Sequence, residues 1–443
     1  MARKSVVLST ARTPFGRLNG ALASLSATTL GADAIRNAVA RAGIDPAEVE
    51  HVTMGMVLQA GAGQGPARQA AFKAGLAKTT TSETLNRLCA SGLLAVSYGA
   101  RLIRDGEHDV VVAGGMESMS NAPYLLPGAR QGYRFGNAPL VDAMVHDGLM
   151  DYYFDEIMAT QATKVAAELG ITREVQDHFA YESHRRAHAA HEAGWFDAEM
   201  VPIDLATKAP GKIVVERLPQ PARDRIPATV GGGSSIWEHV APQAMVADPA
   251  RYSPYVTGDA PKRRVDRDEP VRVDASLEAM AKLKPLDPGG TITAGNAPGV
   301  NDGAAALVLA SDDYARRNGL DALATIEGHA YVAWDPPYLA LTPAMAAQKL
   351  LDRHGLRASD VAVWEVNEAF ASVALSVATR LGLDPSTINV QGGAVALGHP
   401  IGASGARIVG AVVHQLRRRG GGLGIAAICS GGGQGDAMLI RVE

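Results

Sequence analysis

Short β-branched runs alternate along the chain with alanine-rich stretches whose apolar positions recur every three or four residues. The runs at 6–8, 52–57, 110–113, 307–310, 363–366 and 425–429 are apolar at consecutive positions, which predicts strands covered on both faces. Between them, 29–42, 68–75, 91–104, 345–354, 369–381 and 404–419 carry the helical period, and 159–169 and 173–193 read as amphipathic helices. Strand-helix alternation of this kind predicts an α/β fold, a sheet with helices packed on it.

The pattern also repeats. Cys89-Ala90-Ser91-Gly92 opens a predicted helix that is followed by the 110–113 strand and Gly114-Gly115. Far downstream, Gly402-Ala403-Ser404-Gly405 opens another, followed by the 425–429 strand and a glycine run. Each has a further strand-helix pair upstream, at 52–57 with 68–75 and at 363–366 with 369–382. Two copies of one layout would be related by a pseudo-two-fold axis, with both Ala-Ser-Gly turns facing one cleft. The middle of the chain breaks this order. Prolines crowd between Pro202 and Pro270 beside Gly231-Gly232-Gly233, and neither period survives, so that region reads as loop-rich.

Composition narrows the function classes. Apolar residues are 47% and charged residues 20%, as in ordinary globular proteins. The net charge of -4 argues against a nucleic-acid partner, which would call for a basic excess. The longest apolar runs fall far short of a bilayer span, and residues 1–10 lack a signal-like core, so no membrane association is expected. Only two cysteines, Cys89 and Cys429, are present. That is no disulfide framework; it fits a reducing compartment and a cytoplasmic protein.

Both cysteines sit where chemistry is possible. A thiol is a nucleophile as thiolate, and a helix start offers unpaired N–H groups to that anion, so Cys89 before Ala90-Ser91-Gly92 is a candidate nucleophile. The competing reading is a small buried apolar residue. Cys429 ends a predicted strand before Ser430-Gly431-Gly432-Gly433, whose N–H groups could hold an oxyanion or simply make a tight turn. His399, before Pro400 and among glycines, is held in a non-helical backbone and is poor core filler. Asn367 follows the 363–366 strand as a fixed polar donor or as a helix N-cap. Two weaker patterns are set aside. His184, His188 and His191 share a predicted helix face, read as a solvated face and not as a metal site. Gly61-Ala62-Gly63-Gln64-Gly65 lacks the dinucleotide spacing.

Taken together, these motifs resemble the thiolase family. The resemblance rests on Arg12-Thr13-Pro14, Asn86-Arg87-Leu88-Cys89-Ala90-Ser91-Gly92, Gly114-Gly115-Met116-Glu117-Ser118-Met119-Ser120 and Gly295-Asn296-Ala297. It continues through Asn301-Asp302-Gly303-Ala304-Ala305, Asn367-Glu368-Ala369-Phe370, Gly398-His399-Pro400 and Cys429-Ser430-Gly431-Gly432-Gly433-Gln434-Gly435, in family order. It implies a thiolase fold, two duplicated α/β halves forming a layered α-β-α-β-α core. The halves would be residues 1–120, completed by about 293–320, and 321–443. Residues 121–292 would form a loop domain, with an insertion at about 206–268 relative to the family. Lys262-Arg263-Arg264 there could meet CoA phosphates, although a solvated charge run is the plainer reading.

The same resemblance implies the chemistry. Cys89 would become acylated by an acyl-CoA, His399 would take its proton, and Cys429 would remove a proton from the α-carbon of a second acetyl-CoA. Asn367 would hold a water beside His399 in one oxyanion hole, and the N–H groups of Cys89 and Gly431 would form another. Met158, Ala297, Pro298, Ala369 and Phe370 would border the acyl and pantetheine groups, and Arg272 the CoA nucleotide. Three positions depart from the short-chain pattern: Ile157 where His is frequent, Ala159 for Gly, and Pro298 for a Ser that helps hold pantetheine. The implied activity is acetyl-CoA C-acetyltransfer, with acetyl-CoA, acetoacetyl-CoA and CoA as partners and no cofactor or metal. A homo-oligomer, dimer or tetramer, is also implied. The alternatives are a longer-chain 3-ketoacyl-CoA thiolase and a thiolase-like protein without turnover. A condensing β-ketoacyl synthase generally carries His in place of the second Cys, so Cys429 speaks against it.

Overall fold

The computed structural model describes residues 3–206 and 262–443. The order of its core elements follows the sequence repeat. In the first half β1 (Ser5–Arg12), α1 (Ala27–Ala42), β2 (His51–Gly55), α2 (Pro66–Ala74), β3 (Thr81–Leu85), α3 (Ser91–Arg104) and β4 (Val110–Ser118) follow one another. After the intervening segment, with α4 (Met158–Glu168) and α5 (Arg173–Glu192), β5 (Asn301–Ser311) returns to close that half. The second half comprises β6 (Ala324–Ala333), α6 (Thr342–His354), β7 (Val363–Val366), α7 (Ala371–Leu381), α8 (Ser404–Arg419), β8 (Gly422–Ser430) and β9 (Gln434–Val442).

The strands lie in the order β3-β2-β4-β5-β1-β6-β9-β8-β7. Within the first half β2 is parallel to β3 and β4, β4 is antiparallel to β5, and β5 to β1. The second half mirrors this: β7 is parallel to β8, β8 antiparallel to β9, and β9 to β6. The counterpart of β3 is reduced to a single parallel bridge between Trp364 and Ile388. The halves join antiparallel at the centre, Val6 opposite Thr325 and Val7 opposite Ala324.

Three apolar layers account for the helices. The outer face of the first half packs on α1 and α2 through Leu30, Ile35, Val52, Val112 and Val308. The outer face of the second packs on α6 and α7 through Leu350, Leu375, Ile425 and Leu439. Between the half-sheets, α3 and α8 share one core, in which Val96, Val111 and Leu309 meet Ile408, Ile428 and Met438. The result is the expected α-β-α-β-α stacking. Side chains this size each contribute about 1.5–3 kcal/mol when fully buried, so the middle layer adds to the β1–β6 pairing in binding one half to the other. No helix among the described residues is long and apolar enough to cross a membrane.

Several expectations shift. Strands β3 and β6 carry too many polar or exposed positions to stand out in sequence, and β9 opens on Gln434-Gly435-Asp436 before its apolar run. The helix expected from 369 starts at Ala371 with Phe370 as its cap residue, so Asn367 caps nothing. The histidine face on α5 is not solvated. His184 is buried and accepts from the Arg272 N–H at 3.2 Å, while His191 meets Asp268 at 3.1 Å. This face turns inward because α5 packs under the segment carrying Asp268 and Arg272, and burial pushes the His184 pKa down to about 4. The part of the expected insertion at 207–261 lies outside the described residues. Of the Lys262-Arg263-Arg264 run, Arg263 and Arg264 are exposed, and Arg264 lies near Asp204 and Asp266.

Candidate active site

The N-terminal turns of α3 and α8 abut because glycine faces glycine there. A Cβ on Gly92 would sit 2.8 Å from the Gly402 carbonyl oxygen and the Ala406 nitrogen, and one on Gly405 would collide with Leu93. Any larger residue would push the helices apart. This is the physical reason for the two Ala-Ser-Gly repeats, and it brings the loops before both helices to one place.

Cys89 lies one residue before the cap residue of α3, Ala90, and so just outside the helix. Its turn is tight: the Ala90 N–H donates to the Arg87 carbonyl at 3.1 Å and the Ser91 N–H to that of Leu88 at 2.9 Å. Leu88 takes a positive φ of 46°, a strained conformation for a branched residue. The elbow presents the half-buried Cys89 sulfur beside Val57, Leu58, Met119 and Ile401. Burial pushes the thiol up to about 12, and buried Glu117 adds to the rise, while the N–H groups of Cys89 and Gly431 oppose it.

Gly431 also fixes where the second sulfur lies. It follows Cys429 by two residues, just past the end of β8, and Ser430 between them donates its hydroxyl to the Arg87 carbonyl at 2.6 Å, on the turn that carries Cys89. Cys429 is 1% exposed. Burial pushes its thiol strongly up, and the Cys89 sulfur adds to the shift, as expected for neighbours in one pocket. Around Cys429 cluster Ala159, Ala297, Leu339, Ala369, Phe370 and Val373, with Ile157 and Met158 against them. A Cβ on Gly431 would meet Leu88 at 2.7 Å and the Met158 sulfur at 3.7 Å, so the two cysteine environments touch there.

His399 comes from the second half but is pinned to the first. Its N–H donates to Asn301 Oδ1 at 2.8 Å, and Asn301 Nδ2 donates to the Gly16 carbonyl at 2.9 Å. Gly398, at φ +109°, permits this approach, since a Cβ there would crowd Asn301. The ring is held at both nitrogens. Nδ1 lies 2.6 Å from Ser404 Oγ, and Ser404 reaches the Pro400 carbonyl at 3.0 Å. With the hydroxyl proton given to that carbonyl, Nδ1 carries the ring proton and Nε2 is the unprotonated, accepting nitrogen. Asn367 Nδ2 sits 3.4 Å from Nε2. Burial first, and then Arg407, pushes the His399 pKa down to about 3, so the ring is neutral near pH 7.

Asn367 extends the sheet ladder, its N–H donating to Ala427 at 2.9 Å. Asn389 grips both sides of it, bonding the Val366 backbone at 2.8 and 2.7 Å and Glu368 at 2.8 Å. The Asn367 Oδ1 is buried without a hydrogen-bond partner among the described residues, an acceptor open to a polar ligand or water.

Met158, Ala297, Ala369 and Phe370 thus gather around Cys429, while the expected nucleotide contact Arg272 is exposed beside α5 and outside the cluster. Pro298 is half-buried next to Ala297. Sequence reading assigned no role to Ser404, Asn301 or Glu117. Glu117 accepts N–H groups from Val57 at 3.0 Å, Leu58 at 3.2 Å and Gly402 at 3.0 Å, tying the halves together beneath the site. Burial raises its pKa to about 7, although the three donors oppose that. A charged residue inside an otherwise glycine-rich and apolar strand was the available signal. Among the described residues no group of three or more His, Cys, Asp or Glu side chains could hold a metal.

Comparison with known proteins bears on the family of the chain. The family model for the thiolase N-terminal domain matches residues 5–221 and 254–313, and that for the thiolase C-terminal domain matches residues 320–442. Residues 222–253, inside the expected insertion, are not matched. The chain is similar to an acetyl-CoA acetyltransferase of Cupriavidus necator, 43% identical over 437 residues and 98% of each chain. It is similar also to one of Escherichia coli, 42% identical over 441 residues and 99% of each chain, and to one of Rhizobium meliloti, 41% identical over the full length of both.

Proposed function

The chain belongs to the thiolase family and is an acyltransferase; from that premise we propose that it is an acetyl-CoA C-acetyltransferase. It would catalyse the reversible Claisen condensation of two acetyl-CoA to acetoacetyl-CoA and CoA through an acyl-Cys89 intermediate. The observation that carries this reading is the hydrogen bond from the Ser430 hydroxyl to the Arg87 carbonyl at 2.6 Å. It ties the residue directly after Cys429 to the turn that holds Cys89, so nucleophile and carbon base serve one pocket.

The proton balance follows from the resting states. Both cysteines are thiols and His399 is neutral, given the directions of their pKa shifts. Cys89 attacks the thioester carbonyl and His399 Nε2 takes its proton. The N–H groups of Cys89 and Gly431 hold the oxyanion; losing one such donor typically costs about 10²–10³ in rate. Cys429 protonates the departing CoA sulfur and becomes a thiolate. It then removes the α-proton of a second acetyl-CoA, whose enolate oxygen is held by protonated His399 and a water on Asn367. The enolate attacks acyl-Cys89, acetoacetyl-CoA forms, and His399 returns its proton to the Cys89 sulfur. Each group ends as it began.

Within this reading acetyl-CoA, acetoacetyl-CoA and CoA are substrates and products, and no resident cofactor or metal takes part. Arg272 is kept as a candidate for the CoA nucleotide, and Pro298 for the edge of the pantetheine path. The two free cysteines support a cytoplasmic location, and the family likeness supports a homo-oligomer. One observation favours a longer-chain 3-ketoacyl-CoA thiolase: apolar Ile157 packs against the Cys429 cluster. Thiolysis rates on acetoacetyl-CoA and on a medium-chain 3-ketoacyl-CoA separate the two readings. A higher kcat/KM for acetoacetyl-CoA is expected, and a faster medium-chain substrate would replace this reading with the second. No turnover of either would return the chain to a thiolase-like protein without activity.

A further inference from the structure

Arg87, two residues before the nucleophile, is clasped twice by the second half of the molecule. Its carbonyl accepts the Ser430 hydroxyl at 2.6 Å, and Ser430 is the residue directly after Cys429. Its guanidinium reaches Asp436 Oδ1 at 2.9 Å, 349 residues away in sequence, and lies over the Tyr331 ring at 4.9 Å. Asp436 sits on β9, in register with Ile428 on one side and Tyr331 on the other. From β6, His329 Nε2 adds a contact of 2.7 Å to the same oxygen. The carboxylate is fully buried, and its Oδ2 has no hydrogen-bond partner among the described residues.

Burying a carboxylate in a strand whose neighbouring positions are apolar is costly, and well-packed apolar residues of similar size commonly give equal or better stability. The charge here has a geometric consequence. The Arg87 carbonyl is also the acceptor that closes the turn around Leu88 and Cys89. The side-chain clasp therefore fixes the strained elbow of the first half against the strand pair that carries Cys429.

We propose that Arg87 and Asp436, with His329 behind them, are positioning residues that set the placement of Cys89 relative to Cys429. The inference rests on the two-thiol reading given above. Acylation of Cys89 by a thioester tolerates a displaced Cys429, because a thiolate is a competent leaving group without a proton donor. Abstraction of a proton from carbon does not tolerate it, because the base must lie against the α-carbon while the acyl group waits on Cys89.

The test compares two rates in the full-length protein: exchange of labelled CoA into acetyl-CoA, which needs acylation alone, and thiolysis of acetoacetyl-CoA. Asp436→Ala and Arg87→Ala are each expected to lower thiolysis at least tenfold more than exchange. KM should be little changed, and Arg87→Lys should recover much of the difference. Arg87→Ala leaves the Asp436–His329 contact in place and serves if Asp436→Ala does not fold. Equal losses in the two rates, or no loss in Arg87→Ala, would overturn the proposal. A wild-type protein that performs neither reaction would instead remove the two-thiol reading itself.

Discussion

The Nδ1 atom of His399 lies 2.6 Å from the hydroxyl of Ser404, the first residue of α8, and that hydroxyl is 3.0 Å from the Pro400 carbonyl. The chain of contacts fixes which ring nitrogen keeps the proton and leaves Nε2 unprotonated beside Asn367. Ser404→Ala removes the device while keeping the small residue that the helix contact demands. A fall in kcat of about 10- to 100-fold with KM nearly unchanged is expected, the size of one buried hydrogen bond of about 1–3 kcal/mol. Steady-state thiolysis kinetics check this, with circular dichroism to confirm the fold.

The resting thiols should be unreactive near neutral pH. Burial raises Cys89 to about 12 and lowers His399 to about 3, so both shifts oppose a thiolate-imidazolium pair. As pH rises, the thiolate fraction of Cys89 grows throughout the range below 12. Alkylation of the free enzyme by iodoacetamide should therefore climb from pH 6 to 10 without a plateau. A plateau beginning near pH 6–7 would show a preformed ion pair.

Gly405 and Gly410 lie on the same helix, but their surroundings differ. A Cβ on Gly405 would collide with Leu93 of α3, whereas one on Gly410 would meet Thr10 at an ordinary 3.6 Å. Gly405→Ala should destabilise by about 1–3 kcal/mol through overpacking. Gly410→Ala should be neutral or stabilise by up to about 1 kcal/mol through helix propensity. Thermal unfolding of the two variants distinguishes these, and equal behaviour would mean that the α3–α8 contact is not tight.

Much of this arrangement was legible in the sequence because the signals are local. The two Ala-Ser-Gly turns, the apolar strands and the placement of His399 before proline all follow from neighbouring residues. Helices α3 and α8 fall on the expected residues. What was not legible depends on partners far apart in the chain. Glu117 gains its meaning from Gly402, Asn301 from His399, and Arg87 from Asp436, and nothing near any of them names the other. Strand β3, with its polar Thr81-Ser82-Glu83-Thr84, is a strand because β2 pairs with it, not because of its own pattern. His184 and His191 misled for the same reason: arginines beside them suggested solvent, while the segment around Asp268 covers them.

The most direct measurement is the site of covalent acetylation. Wild-type protein and the Cys429→Ala variant are incubated with acetyl-CoA, quenched in acid, digested and analysed by mass spectrometry. One acetyl group on the peptide containing Cys89 is expected in both, with thiolysis of acetoacetyl-CoA lost in the variant. Acetyl on Cys429, or an active wild-type enzyme that never carries acetyl on Cys89, would contradict the two-thiol mechanism.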